Sequence, residues 1–194
     1  NEAEQLTPEA VAGLRELLAR PEVVGVGETG LDYYRDRCPR DAQRAAFATH
    51  VRLARELDRV LVVHCRDAFE DALAVLDGEG APERVVFHCF TGDERIAGRV
   101  VEAGYLVSFS GTVTFRNAPG QRAACAVVPL DRMVLETDSP FLSPHPYRGQ
   151  PNRPWRVAVT AETVAAVHRT TVDEVARATT ATAVRAFRLP APVG

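Results

Sequence analysis

Short apolar runs of strand length alternate along the chain with stretches of helical period. In the first helix, "LTPEAVAGLRELLAR", Thr7 is the N-cap, Pro8 takes the first position, and Val11, Leu14, Leu17 and Leu18 form one face. "VVGVGE" follows as a strand ending at Glu28. A polar loop, "YYRDRC", and Pro39 lead to a helix running to about Leu57, striped by Phe47, Val51, Ala54 and Leu57. Then come the strand "VLVVHC", the helix "DAFEDALAVL", the strand "RVVFHCF", the helix "ERIAGRVVEAG" and the strand "YLVSFSG". A helical stretch near 119–128 precedes the strand "MVLETD". After the Pro- and Gly-rich loop "SPFLSPHPYRGQPNRP", two helices finish the chain, the second opened by the capping box Thr171-Val-Asp-Glu174.

The strands are apolar almost throughout, as parallel strands buried on both faces are. Strand–helix alternation then predicts an α/β fold, either a doubly wound sheet or a barrel. Five strands are counted. A (β/α)8 barrel needs eight strands and about 250 residues, so a barrel reading leaves the chain short at its N-terminus. No linker or low-complexity segment interrupts the pattern, and residues 1–194 are read as one domain. The opening "NEAEQLTPEA" carries no initiator Met and reads as mid-loop.

Composition narrows the partners. The chain is 46% hydrophobic and 25% charged, with net charge −3 and a pI near 6.0. That charge offers no global field for nucleic acid, so any such contact must be local. Cys38, Cys65, Cys89 and Cys125 are scattered without a C-x-x-C pair, as expected of reduced thiols in the cytoplasm. Neither a signal peptide nor a long apolar span is present, which argues against membrane attachment.

Polar residues cluster at the C-terminal ends of the strands: Glu28 on the first, His64 on the second, His88 on the third, Ser108 and Ser110 on the fourth, Asp138 on the last. In parallel α/β folds this rim is the functional one. Two imidazoles and two carboxylates converging there suit Zn, Mn or Fe, and the carboxylates suit Mg. Strand alternation puts His64 with Arg66, His88 with Phe90, and Glu136 with Asp138, while Cys65 and Cys89 turn away into the packing. Among the other histidines, His50 and His168 read as surface residues on helices, and His145 as part of the loop after the last strand. Arg15, Arg20, Arg52 and Arg55 read as solvated helix faces.

Gly25-x-Gly27-x-x-Gly30 has the spacing of a dinucleotide-binding fingerprint. Its context fails: "LDYYRDRCP" does not start a helix, residues 42–55 hold no acid, and Glu28 would put negative charge in the phosphate cradle. The glycines read instead as a tight turn that presents Glu28 and Asp32.

"GETGLDYYRD", "VVHCRDA", "VFHCFTGD" and "LETDSPFLSP", with the terminal "TTATAVRAF", resemble the TatD family of metal-dependent deoxyribonucleases in order and spacing over essentially the whole chain. The resemblance implies a TIM-type (β/α)8 barrel of the amidohydrolase-like group that cuts DNA phosphodiesters with divalent metal. It implies metal ligands at Glu28, His64, His88 and Asp138, with Glu28 bridging or binding the metals and Asp138 also handling the attacking water. Arg66 and Asp32 become substrate-side groups or supports of the ligands. The family's opening H-x-H strand is not found in these 194 residues, so the chain reads as a barrel lacking its first two or so βα units. Arg153 stands where the family's "RGK-x-NEP" region has an acid, and Thr182 where Asn is usual.

The chemistry is self-consistent. A divalent ion brings the pKa of water toward ~7 and a second clamps the leaving oxygen; Asp138 can take the water's proton and Arg66 can balance phosphate oxygens. The complete family site uses two ions of Mg, Mn or Zn. Without an H-x-H pair one ion or none is expected here, with little or no nuclease activity. DNA is the expected partner, and a monomer is favoured for the full-length form. The alternatives are another amidohydrolase-like metal hydrolase, which the absence of lysine disfavours, or an inactive fragment.

Overall fold

A computed structural model describes residues 3–190. Asn1 and Glu2, from the stretch read as mid-loop, lie outside that range, as do residues 191–194; Ala3–Gln5 is a turn of 3-10 helix. The elements are α1 (Pro8–Leu18), β1 (Gly25–Asp32), α2 (Arg40–Glu56), β2 (Val60–Arg66), α3 (Phe69–Glu79), β3 (Val85–Phe87), α4 (Glu94–Glu102), β4 (Leu106–Phe109), α5 (Pro119–Val127), β5 (Met133–Leu135), α6 (Val157–His168) and α7 (Val172–Phe187). The class is α/β, with five strands in the order β1-β2-β3-β4-β5, and the pairs β1–β2 and β4–β5 are parallel. Among the described residues no helix is long and apolar enough to cross a membrane. The chain divides into two compact units, one reaching Val86 and including Ala186–Arg188, the other spanning Phe87–Arg185.

In the first unit, Thr7 caps α1 by accepting from the Ala10 N–H at 3.2 Å. Of the four apolar positions read as one face, Leu18 is buried, Val11 and Leu14 are half-buried, and Leu17 is 51% exposed. Adjacent helical residues point about 100° apart, so Leu17 and Leu18 cannot share the centre of one stripe. α2 buries Phe47, Val51 and Ala54, while Leu57 lies past its end and is half-buried. Each large apolar side chain so buried contributes about 1.5–3 kcal/mol.

The first strand does not stop at Glu28. It runs on to Asp32, with a register shift between Val26 and Thr29, and then pairs Gly30 with His64, Leu31 with Cys65 and Asp32 with Arg66. The glycines do not make the expected tight turn; they let β1 lie against β2. Gly30 has φ +142°, and a Cβ there would stand 2.0 Å from the His64 carbonyl oxygen. Only a residue without a side chain fits.

In the second unit, Asp93 caps α4 by accepting from the Ile96 N–H at 2.8 Å. α4 buries Ile96, Ala97 and Val100. Val107, Phe109, Met133, Ala124, Cys125 and Val164 fill the core of this unit. The capping box forms at its hydroxyl end, Thr171 Oγ1 accepting from the Glu174 N–H at 3.1 Å. β3 and β5 are shorter than their apolar runs, so His88, Glu136 and Asp138 follow their strands instead of lying in them.

Candidate metal centre

The first unit gathers Glu28, Asp32 and His64. His64 Nε2 lies 3.3 Å from Asp32 Oδ2, and Nδ1 lies 4.0 Å from Glu28 Oε1. Nε2 donating to Asp32 puts the imidazole lone pair on Nδ1, the nitrogen on the Glu28 side. A carboxylate behind a metal-binding histidine fixes the tautomer in this manner. Asp32 is itself pinned: Oδ1 accepts from the N–H groups of Tyr34 (3.1 Å) and Arg35 (2.9 Å), and its backbone N–H donates to Gln43 Oε1 (2.8 Å). Burial pushes the Asp32 carboxyl up, but the Arg35 N–H and the charges of His64 and Arg66 outweigh it and hold the group below the usual range. Asp32 thus acts on His64. Arg66 lays its guanidinium 3.6 Å from the centre of the Tyr34 ring. Stacking holds the group flat and leaves its edge donors for an anion.

The second unit gathers His88, Glu136 and Asp138, whose ligand atoms lie within 4.8 Å of one another. His88 Nδ1 is 3.3 Å from Glu136 Oε1, and Ser108, 1% exposed, donates its hydroxyl to Glu136 Oε2 at 2.5 Å. With Nδ1 donating, Nε2 carries the lone pair. Asp138 sits at φ +57°, a conformation Asp tolerates better than most residues. Its carbonyl accepts from the Phe141 N–H at 2.8 Å, and the buried Asn152 amide donates to Thr137 O (2.7 Å) and Phe141 O (2.8 Å). The loop after β5 is therefore a braced platform for Asp138. Glu136 and Ser108 are members of this group that the sequence reading left out of the site. Glu136 was legible as the same-face neighbour of Asp138, and Ser108 as the polar end of β4.

Several sequence expectations are corrected. Cys65 is buried, as expected, and burial drives its thiol pKa upward. Cys89 is not in the packing: it has φ +44°, is half-buried, and its Sγ lies 3.2 Å from Ser110 Oγ. Strand alternation fails there because β3 ends at Phe87. For the same reason Phe90 does not share a strand face with His88; it is buried edge-on against Phe109, with ring centres 6.1 Å apart. His50 is no surface residue. Its Nδ1 is 2.9 Å from Thr29 Oγ1 on β1, and burial lowers its pKa. His168 also turns inward, Nε2 donating to Cys125 O at 2.9 Å. Helix periodicity separates faces but does not say which polar residue bonds inward. His145 is exposed on its loop, as read. Arg15 and Arg52 pair with Glu56 and Glu79.

These two donor groups occur in a chain with close relatives. A profile for TatD related DNase matches residues 1–188. The chain is 41% identical over 190 residues to the uncharacterized metal-dependent hydrolase YabD of Bacillus subtilis, a match spanning 97% of this chain and 74% of the relative. It is 44% identical over 192 residues to the uncharacterized metal-dependent hydrolase TatD of Mycobacterium tuberculosis, spanning 96% of this chain and 73% of the relative. In structure it superposes on YjjV, a TatD homologue of Escherichia coli, with TM-score 0.91 and 30% identity over 97% of this chain and 74% of that one. Sequence, donor groups and a fold of the TIM-barrel type agree, and the chain belongs to the TatD family.

Proposed function

We propose that the protein is a metal-dependent hydrolase that cuts phosphodiester bonds of DNA. The residues read as metal ligands are Glu28 and His64 in one donor group and His88 and Asp138 in the other. The observation that carries it is the pairing of each histidine with its own carboxylate, His64 with Asp32 and His88 with Glu136. That arrangement turns an imidazole into an oriented metal ligand. The donor chemistry fits a divalent ion: ligand atoms of His88 and Asp138 fall within 4.8 Å of each other, near the separation of donors that share an ion about 2 Å from each, and Glu136 stands behind His88.

When bound, a divalent ion supplies positive charge to the phosphate and acidifies water. The residues do the rest. Asp138 accepts a proton from the attacking water as the water oxygen bonds phosphorus, and the bond to the sugar oxygen breaks, that oxygen taking a proton from solvent. Arg66, held flat on Tyr34, meets the non-bridging oxygens. Asp32 and Glu136 keep the two imidazoles in the binding tautomer. In this reading the protein works in the cytoplasm, where its cysteines stay reduced.

The test is cleavage of an end-labelled oligonucleotide with Mg, Mn or Zn, beside a lactone and a phosphotriester. The proposal expects DNA cleavage that stops with chelator and in Asp138→Asn. Cleavage that persists in either, or turnover of the other esters alone, refutes it.

A further inference from the structure

The loop between β5 and α6 carries more than Asp138. Residues 139–161 contain no acid and hold Arg148, Arg153 and Arg156, in a chain whose net charge is −3. The neighbouring stretch 103–130 is also free of acids and carries Arg116 and Arg122. The two stretches touch: the Arg148 guanidinium lies 3.7 Å from the centre of the Phe115 ring, and the His145 N–H donates to Thr114 Oγ1 at 2.8 Å. Gly111 permits the approach, since a Cβ there would meet Leu142 O at 2.4 Å. This is the local positive field that the global charge does not provide.

The same loop exposes two large rings. Phe141 is 68% exposed and Trp155 60% exposed, although the backbone around each is anchored. Asn152 grips the Phe141 carbonyl. The buried Arg156 donates to Ser143 Oγ, Pro151 O and Gln150 Oε1, and its guanidinium lies 4.2 Å from the centre of the Tyr147 ring. Tyr147 in turn meets Trp155 edge-on, with centres 5.6 Å apart at 83°. Tyr147 supports the indole by its edge and the Arg156 guanidinium lies over one face, 5.2 Å from the ring centre, which leaves the opposite face for a base. Rigid exposed rings among arginines, beside a carboxylate, suit a polyanion with flat apolar faces.

We propose that this face is the surface on which a DNA strand lies, with unpaired bases stacked on Phe141 and Trp155 and phosphates met by Arg148 and Arg153. The proposal rests on the phosphodiester reading and adds to it the surface that holds the strand. Paired bases hide their faces, so the stacked nucleotides are unpaired ones. The loop has no amphipathic helix that would favour a lipid surface instead.

Trp155 is the single tryptophan, so its fluorescence reports on this face alone. The full chain is titrated with a fluorescein-labelled thymidine 12-mer and a non-quenching abasic control in chelator, and with anionic phosphatidylglycerol vesicles. Anisotropy and tryptophan emission are both followed. The proposal expects the 12-mer to quench Trp155, the abasic strand to bind without quenching, and Phe141→Ala and Trp155→Ala each to weaken 12-mer binding roughly 5- to 150-fold. Arg148→Ala and Arg153→Ala each reduce the salt slope by about 0.7. Circular dichroism checks that the variants fold, and the quench in Phe141→Ala gives a second reading where Trp155→Ala is unstable. Binding without quenching and with unchanged affinity in both ring variants overturns the surface, as does a response to vesicles and none to DNA. Metal-dependent cleavage without quenching would leave the nuclease reading standing and sink this one; quenching without cleavage in any metal would do the reverse.

Discussion

Gly30→Ala tests the local architecture of the first donor group. A Cβ at position 30 stands 2.0 Å from the His64 carbonyl oxygen and 3.0 Å from its carbonyl carbon. Both are backbone atoms of the facing strand and cannot rotate away. Restoring an ordinary contact requires β1 and β2 to part by more than about 1 Å from their usual spacing near 4.8 Å. Ladder bonds around the pairs Gly30–His64 and Asp32–Arg66 lengthen with it, at about 1 kcal/mol each. The φ of +142° adds backbone strain of about 1–3 kcal/mol. The sum is about 3–5 kcal/mol, and for a chain of this size that lowers Tm by roughly 8–15 °C. Gly13, in the middle of α1, is the control: a Cβ there meets nothing within 4 Å. Gly13→Ala is expected to stabilise by about 0.5–1 kcal/mol. Urea and thermal unfolding of both variants decide the matter. A Gly30→Ala protein as stable as the wild type would show that the strands do not approach this closely and that the placement of His64 against Asp32 needs another explanation.

Asp32→Asn keeps an acceptor for the Tyr34 and Arg35 N–H groups but removes the charge behind His64; divalent-metal affinity falls about 10- to 100-fold while Tm shifts little, as read by metal titration and melting. His50, whose pKa burial lowers, stays neutral in the fold at pH values where the unfolded chain gains a proton. Its stabilisation is full above the unfolded pKa of about 6.5 and is lost as pH falls toward the folded value, at up to about 1.4 kcal/mol per pH unit; His50→Gln should flatten that part of the stability–pH curve in urea unfolding. Arg156→Ala removes the donor that ties Ser143, Gln150 and Pro151 together. It should cost about 2–4 kcal/mol and open the loop to chymotrypsin at Tyr147.

What the sequence made legible follows from what its signals measure. Alternation of β-branched runs with helical periods located five strands and the helices between them. The histidines and carboxylates at strand ends stood out because apolar strands contrast with polar rims. Cys89 was misread because alternation holds only while the chain stays extended, and the strand stops at Phe87. Glu28 was read as a strand end because Gly30 normally signals a turn, yet the same residue is what close strand packing requires. His50 and His168 were missed as inward-facing groups because their partners, Thr29 and the Cys125 carbonyl, lie 21 and 43 residues away in the chain. Glu136 carried a visible signal, its period-2 spacing to Asp138, but its bond to Ser108 depends on β4 and β5 being neighbours.

Hydrolysis is expected to depend on two histidine ligands, His64 oriented by Asp32 and His88 oriented by Glu136. Calorimetric titration of zinc into the metal-free protein tests it, run on the wild type beside His64→Ala and His88→Ala. Tight zinc binding is expected in the wild type, with affinity weakened more than about 100-fold in each variant and folding intact by circular dichroism. Unchanged zinc affinity in both variants would contradict it.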